Sequence, residues 1–129
     1  MGNQPGKVIV IEDEEMVRLV LGDFLTDDGF EVTSAESTEE ALELMKKNLF
    51  NVAIVDIRLP GMDGDSFIME AHRIRPEMKF IIHTGSPQFS MSQELRDMGI
   101  RDEHLFLKPI SDMTVVSRAV KKLVEEVKP

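Results

Sequence analysis

The stretch that decides the fold of this 129-residue chain is VAIVDIRLPGMDG, from Val52 to Gly64. Its first four residues are apolar, and Pro60 and Gly61 mark a turn soon after them. A short apolar run bounded by turn residues predicts a strand, residues 52–55, that is buried on both faces. Asp56 then lies at the carboxyl end of this strand, where open α/β sheets bind their ligands. Asp56 is therefore the leading candidate for a functional residue.

Two further apolar runs lead into charged residues. The run VIVI, residues 8–11, precedes Glu12 and Asp13, and the run LFL, residues 105–107, precedes Lys108 and Pro109. In a parallel sheet the carboxyl ends of the strands lie at one edge. We therefore expect a pair of acids, a separate aspartate and a lysine to meet at that edge.

Strands and helices are predicted in strict alternation along the chain. Apolar runs predict strands at residues 7–11, 31–35, 52–55, 80–83 and 105–107, and amphipathic patterns predict helices at 14–27, 38–47, 66–74, 90–98 and 111–127. Five such units with right-handed crossovers give an α/β fold, a doubly wound parallel sheet with helices on both faces. Residues 7–127 form one domain in this interpretation, and residues 1–6 are a disordered or tag-like tail.

The charge balance of the chain is acidic. It has 24 Asp and Glu residues against 15 Lys and Arg residues, a formal net charge of −9. Nucleic acids and anionic membranes require a basic surface, so neither is an expected partner of this domain. No stretch approaches the roughly 18 apolar residues of a membrane-spanning helix. The chain has no cysteine, which fits a reducing compartment, and a cytoplasmic location is expected.

The residues expected at the sheet edge suit phosphoryl chemistry. Two carboxylates about 4 Å apart repel by about 4 kcal/mol at an effective dielectric constant near 20, so Glu12, Asp13 and Asp56 need a cation. Hard oxygen ligands of this kind favour Mg²⁺. Lys108 supplies a mobile positive charge and Thr84 a hydroxyl donor. Acids for a metal, one nucleophilic carboxylate, a lysine and a hydroxyl are what phosphoryl transfer to an aspartate requires.

Four motifs in this order resemble those of the receiver domains of two-component response regulators. They are VIVIEDE at residues 8–14, IVDIRLPGMDG at 54–64, HTG at 83–85 and LKP at 107–109. The resemblance implies a flavodoxin-like sheet with strand order 2-1-3-4-5. It also implies that Asp56 accepts a phosphoryl group from a sensor histidine kinase or a phosphotransfer protein. The domain would then be a phosphorylation switch that assists its own phosphorylation and dephosphorylation, and not an enzyme.

The resemblance also implies a metal site. Asp13, Asp56 and the backbone carbonyl of Arg58 would bind Mg²⁺ directly, and Glu12 would act through a water molecule. Mn²⁺ can substitute for Mg²⁺ in such a site.

Further roles follow from the same resemblance. Thr84 and Lys108 would contact the phosphoryl oxygens, and the peptide bond between Lys108 and Pro109 would be cis. Arg58 and Ser86, each two residues after a site residue, would flank the path of the attacking water and tune the lifetime of the phosphoryl group.

The chain departs from the family pattern near the fifth strand. Receiver domains usually carry an aromatic residue three positions before the lysine, where it rotates on activation, but this chain has Leu105. The preceding segment, residues 99–104, is also about two residues longer than usual. The usual switching mechanism is therefore in question. A downstream partner is expected on the face formed by helix four, strand five and helix five, and a homodimer is left open.

Three other functions compete with this interpretation. A haloacid dehalogenase-type phosphatase needs an acid two residues after its nucleophile, and Arg58 stands there. A flavodoxin-type cofactor binder needs a phosphate-binding loop after strand one, where residues 12–15 are all acidic. A pseudo-receiver that serves as an interaction scaffold and is never phosphorylated stays open as the main alternative.

Overall fold

The computed structural model describes residues 6–57 and 64–127, with Val127 described by its backbone alone. The strands are β1 (Lys7–Ile11), β2 (Glu31–Ala35), β3 (Val52–Asp56), β4 (Lys79–Thr84) and β5 (Leu105–Leu107). The helices are α1 (Glu15–Asp27), α2 (Thr38–Lys47), α3 (Gly64–Ile74), α4 (Gln93–Asp97) and α5 (Thr114–Val127). A single 3₁₀ turn, Asp102–His104, leads into β5.

The strands form one parallel sheet in the order β2-β1-β3-β4-β5, which confirms the predicted fold and strand order. Its register brings the carboxyl ends of neighbouring strands together. Ile11 of β1 pairs with Val55 of β3, and Asp56 of β3 pairs with His83 of β4. The strand order reverses between β1 and β3, which is where doubly wound sheets bind their ligands.

Each face of the sheet is covered by a separate apolar cluster. Strand β3 is buried along its whole length, as expected for a central parallel strand. Its alternate residues point to opposite faces, so Val55 joins the cluster that contains α2, α3 and α4 residues. Ile54 joins the cluster that contains α1 and α5 residues. The rigid sheet between the two clusters fixes the residues at its carboxyl edge.

The predicted boundaries of two helices are wrong by several residues. Helix α4 begins at Gln93 and not at residue 90, because Ser92 caps it and accepts a hydrogen bond from the Leu95 amide at 3.3 Å. Helix α5 begins at Thr114 and not at residue 111. There Asp112 accepts hydrogen bonds from both the amide and the hydroxyl of Thr114, which ends the preceding loop.

Candidate functional site

Three carboxylates meet at the carboxyl edge of the sheet. Glu12 and Asp13 follow β1, and Asp56 ends β3. One oxygen from each of these side chains lies within 4.8 Å of the others. Glu12 and Asp56 are 1 % and 5 % exposed, whereas Asp13 is exposed. The structure therefore brings together the acids that the sequence places at neighbouring strand ends.

Lys108 is the positive partner of this carboxylate cluster. Its Nζ atom lies 2.8 Å from Glu12 Oε1 and donates a hydrogen bond to Asp56 Oδ2 at 3.0 Å. It also donates to Glu14 Oε1 at 3.1 Å. The sequence pattern places Glu14 at the start of a helix, and the contact of Glu14 with Lys108, 94 residues away, has no local sequence signal.

Burial controls the charge of Glu12. Removal from water raises the pKa of its carboxyl group from 4.5 to about 7, and the negative charge of Asp56 adds to the rise. Contact with Lys108 works in the opposite direction but does not offset the burial. Burial also opposes the charge on Lys108, but its contacts with Glu12 and Asp56 outweigh that effect and raise the pKa of the lysine well above its usual range. Lys108 is therefore charged at neutral pH.

His83 lies beside the acids on β4. It pairs in register with Asp56 and is 4 % exposed. Its Nδ1 atom lies 3.9 Å from Glu12 Oε1, too far for a direct hydrogen bond. Burial, together with the charge of Lys108, lowers the pKa of the imidazole to about 4. His83 is thus a neutral residue of the buried sheet.

Thr84 and Lys108 are joined through the backbone. Thr84 ends β4 and is fully buried. Its carbonyl accepts a hydrogen bond from the Lys108 amide at 2.8 Å, and its hydroxyl oxygen accepts one from the Ser86 amide at 3.1 Å. The peptide bond between Lys108 and Pro109 is cis. The backbone of β4 therefore sets the position from which the lysine side chain reaches the acids.

The chain returns to Asp56 at the start of α3. A Cβ atom on Gly64 would lie 2.6 Å from Ile57 Cα and 3.0 Å from the Asp56 carbonyl oxygen. Only glycine allows this approach, and its amide donates a hydrogen bond to the Ile57 carbonyl at 3.2 Å. Arg58, predicted both as a metal ligand through its carbonyl and as a tuning residue, lies outside the described residues.

Two neighbouring residues of β5, Leu105 and Phe106, point to opposite faces of the sheet. Leu105 packs against the cluster that contains α2, α3 and α4 residues, and Phe106 packs against the cluster that contains α1 and α5 residues. Phe106 therefore cannot take the position of the aromatic residue that Leu105 replaces.

The donor atoms of the carboxylate cluster fit Mg²⁺. All of them are carboxylate oxygens, the hard ligands that this ion prefers. Glu12 supports the fit, because burial, aided by the charge of Asp56, raises the pKa of its carboxyl group to about 7 despite the contact with Lys108. A divalent cation would stabilise the ionised form of this residue.

An apolar cleft of about 420 Å³ opens beside the site. It lies between α1 and the residues that follow β5, and its apolar lining consists of Met16, Val17, Val20, Pro109, Ile110 and Met113. Two of these residues, Met16 and Val20, are 70 % and 49 % exposed. Lys108 and His83 line the same cleft, so it borders the carboxylate cluster directly.

Among the helices formed by the described residues, none combines the length and the apolar character needed to cross a membrane.

Comparisons with known proteins agree with the fold. The sequence model of the response regulator receiver domain matches residues 8–120. The chain is 31% identical over 111 residues to the chemotaxis protein CheY of Thermotoga maritima, covering 85% of this chain and 91% of the relative. It is 27% identical over 116 residues to sporulation initiation phosphotransferase F of Bacillus subtilis, covering 90% and 91% of the two chains.

A solved structure is similar over nearly the whole chain. It is the REC domain of AraT, a response regulator from Geobacillus stearothermophilus, with a TM-score of 0.80 and 31% sequence identity. The match covers 96% of each chain.

Proposed function

Because this chain belongs to the response regulator receiver domain family, we propose that it is a phosphorylation switch of two-component signal transduction. Asp56 accepts a phosphoryl group from a histidine of a sensor kinase or a phosphotransfer protein. A carboxylate oxygen of Asp56 forms the new bond to phosphorus while the phosphorus–nitrogen bond of the phosphohistidine breaks. The domain assists this transfer and the later hydrolysis of the aspartyl phosphate, in which water takes the phosphoryl group and the carboxylate is regenerated, and it is not an enzyme that acts on a separate substrate.

One observation carries the proposal more than any other. The Lys108 ammonium lies 3.0 Å from Asp56 Oδ2, and two further carboxylates lie within 4.8 Å of that side chain. Phosphoryl transfer is catalysed mainly by positioning and by neutralising charge. The arrangement places a cation and candidate metal ligands around one carboxylate at the switch point of the sheet.

Mg²⁺ is the proposed cofactor. Asp13 and Asp56 would hold the ion directly and Glu12 would hold it through water, and the backbone carbonyl of Arg58, which lies outside the described residues, would be a further ligand. When bound, the ion would supply positive charge against the phosphoryl oxygens and the acids. Mn²⁺, with the same preference for oxygen ligands, is expected to substitute for it.

The chain's own residues provide the other contacts to the phosphoryl group. Lys108 exchanges part of its contact with the acids for a phosphoryl oxygen, since a lysine ammonium can reorient on its flexible stem. The Thr84 hydroxyl donates to a second oxygen. Ser86 is buried beside Thr84, and together with Arg58 it is proposed to flank the path of attacking water.

Two surfaces are proposed for partners. The phosphoryl donor approaches at the apolar cleft beside Lys108, where exposed apolar residues are available for binding. The downstream partner binds the face of α4, β5 and α5, where Leu107 and Val115 are 48 % and 38 % exposed. A homodimer on this face is compatible with the proposal, and a cytoplasmic location follows from the kind of signalling proposed.

The test is phosphorylation by acetyl phosphate with Mg²⁺, followed by intact mass measurement. Wild-type protein should gain one phosphoryl group, and Asp56→Asn should gain none while keeping its circular dichroism spectrum. Asp23→Asn, a change of an exposed aspartate on α1, is the matched control and should label like wild type. Labelling that persists in Asp56→Asn would refute the assignment of the acceptor. A wild-type protein that never labels would favour the pseudo-receiver.

A further inference from the structure

Arg18 makes a side-chain contact with the backbone of the metal-binding turn. It lies on α1, yet its side chain is only 13 % exposed. Its Nη1 atom donates a hydrogen bond to the backbone carbonyl of Glu12 at 2.9 Å. Its Nη2 atom lies 4.0 Å from Glu36 Oε2, in the loop between β2 and α2. The guanidinium therefore lies between the turn that follows β1 and the loop that follows β2.

This hydrogen bond fixes a peptide plane next to a proposed metal ligand. The carbonyl of Glu12 and the amide of Asp13 belong to one planar unit. The preceding amide of Glu12 is already held, since it donates to the Ala35 carbonyl at 3.0 Å. With Arg18 on the following carbonyl, both peptide units of Glu12 are held in place. The Cα atom of Asp13 is held with them.

The side chain of Asp13 depends on that backbone. It is exposed, so the core does not pack around it. Its carboxylate oxygen nevertheless lies within 4.8 Å of oxygens of Glu12 and Asp56. A rotation of the peptide unit between Glu12 and Asp13 would carry the carboxylate away from the other two.

We infer that Arg18 is a positioning residue for the divalent cation. It holds the peptide unit between Glu12 and Asp13 so that Asp13 presents its carboxylate beside Asp56. This inference rests on the proposed function, and it adds a residue that lies in helix α1, outside the motifs at the carboxyl ends of the strands.

The charge of Arg18 and its positioning role predict opposite effects on Mg²⁺ affinity when the residue is replaced. A positive side chain near three carboxylates repels an incoming cation, so charge alone predicts that its removal tightens Mg²⁺ binding. Positioning predicts that its removal weakens Mg²⁺ binding, as the loss of groups that orient metal ligands does in other proteins. The sign of the change in affinity therefore separates the two effects.

The experiment measures Mg²⁺ affinity of the unphosphorylated protein by NMR titration. Arg18→Gln removes the charge and the forked donor, and Arg18→Lys keeps the charge but not the planar fork. We expect Arg18→Gln to weaken Mg²⁺ binding about tenfold and Arg18→Lys to weaken it as well. A second readout is acetyl phosphate labelling, in which the Mg²⁺ concentration for half-maximal rate should rise by the same factor.

Arg75→Gln is the matched control. Arg75 also donates to a backbone carbonyl, that of Met45, at 3.1 Å. It precedes β4 and so lies at the opposite edge of the sheet from the acids. This variant loses one positive charge and its hydrogen bonds to the backbone carbonyls of Ile74 and Met45, and its Mg²⁺ affinity should equal that of wild type.

Affinity for Mg²⁺ that is unchanged or tighter in Arg18→Gln would overturn the inference, provided that the variant folds. If Arg18→Gln fails to fold, the same comparison is decided by Arg18→Lys. If the wild-type protein binds Mg²⁺ and is phosphorylated, and the Arg18 variants bind Mg²⁺ as tightly as wild type, only the inference about Arg18 is contradicted. A wild-type protein that does neither contradicts the proposed function and this inference together.

Discussion

Lys108 Nζ lies 2.8 Å from Glu12 Oε1, a shorter separation than its 3.0 Å to Asp56 Oδ2. Despite this contact, the pKa of Glu12 is raised to about 7. The ion pair therefore does not offset the burial of the glutamate. Ionised Glu12 therefore lowers the free energy of unfolding of the metal-free protein, and binding of a further cation should offset this loss.

We predict that Glu12→Gln stabilises the metal-free protein more at pH 8 than at pH 5. A group whose pKa is raised on folding contributes stability below its unfolded value, here 4.5. That contribution is lost as the pH rises through about 7, and glutamine does not lose it. The difference between the two pH values should be on the order of 1 kcal/mol. Urea unfolding in EDTA measures it.

The matched control for this pH effect is Glu125→Gln, a change of an exposed glutamate on α5. Its effect on stability should be the same at both pH values. Lys108 does not interfere, because its raised pKa affects stability only in strongly alkaline solution. Equal effects of Glu12→Gln at pH 5 and pH 8 would contradict the raised pKa.

His83 should contribute the opposite pH dependence. Its pKa is lowered from 6.5 to about 4, so its contribution to stability is present above pH 6.5 and is lost as the pH falls toward 4. His83→Leu should therefore reduce the loss of stability between pH 7.5 and pH 5 by on the order of 1 kcal/mol. Urea unfolding at the two pH values tests this, with His72→Leu on α3 as control. A loss as large as that of wild type would count against a buried neutral imidazole.

Mg²⁺ should stabilise the wild-type protein, and Asp13→Asn should remove most of that effect. Binding to the folded state alone contributes RT ln(1 + [L]/Kd), about 1.4 kcal/mol at ten times Kd. Thermal unfolding at pH 8 with and without Mg²⁺ measures the gain, and Asp23→Asn should retain it. A wild-type melting temperature that does not respond to millimolar Mg²⁺ is the outcome that contradicts the metal site.

Two glycine-to-alanine changes should have opposite effects. A Cβ on Gly64 would lie 2.6 Å from the backbone of Ile57, so Gly64→Ala should destabilise the protein by about 1–3 kcal/mol. A Cβ on Gly22 would meet only ordinary contacts, 3.7 Å from Ser34 Oγ. Gly22→Ala should stabilise α1 by about 0.5–1 kcal/mol, because glycine is a poor helix former. Urea unfolding compares the two, and a destabilised Gly22→Ala would show that α1 and β2 tolerate no added methyl group.

Activation should not depend on a ring rotation at Leu105. This residue is packed in the cluster with α2, α3 and α4 residues and has no ring to turn. We expect the loop of residues 85–90, which contains the exposed Gly85, to move instead when beryllofluoride mimics the phosphoryl group. NMR shift changes should be largest in this loop, and Asp56→Asn treated alike should show none. A new Leu105 rotamer with an unmoved loop would disprove this.

The fold could be predicted because its signals are local and repeat along the chain. The apolar run before Asp56 predicts a buried strand from its local pattern alone, and so does the run before Glu12. Parallel strands then place both residues at one edge, where the structure also places Lys108. The predicted bounds of the strands 7–11, 31–35 and 105–107 are those of the structure.

What could not be predicted depends on pairs that are distant in sequence. The contact of Lys108 with Glu14 joins residues 94 positions apart. The hydrogen bond from Arg18 to the Glu12 carbonyl ends on the backbone, so its acceptor has no side-chain pattern. Helix α4 is shorter than predicted because its start depends on one cap at Ser92, and the apolar pattern continues on both sides of it.

The hydrogen bond between the Lys108 amide and the Thr84 carbonyl has a consequence for local opening. It lies where the three-residue strand β5, at the edge of the sheet, leads into the lysine. When β5 separates from β4, that amide is exposed to solvent and the lysine side chain is carried away from the acids in the same event. The rate at which the Lys108 amide proton exchanges for deuterium therefore measures how often the Lys108 ammonium leaves Asp56.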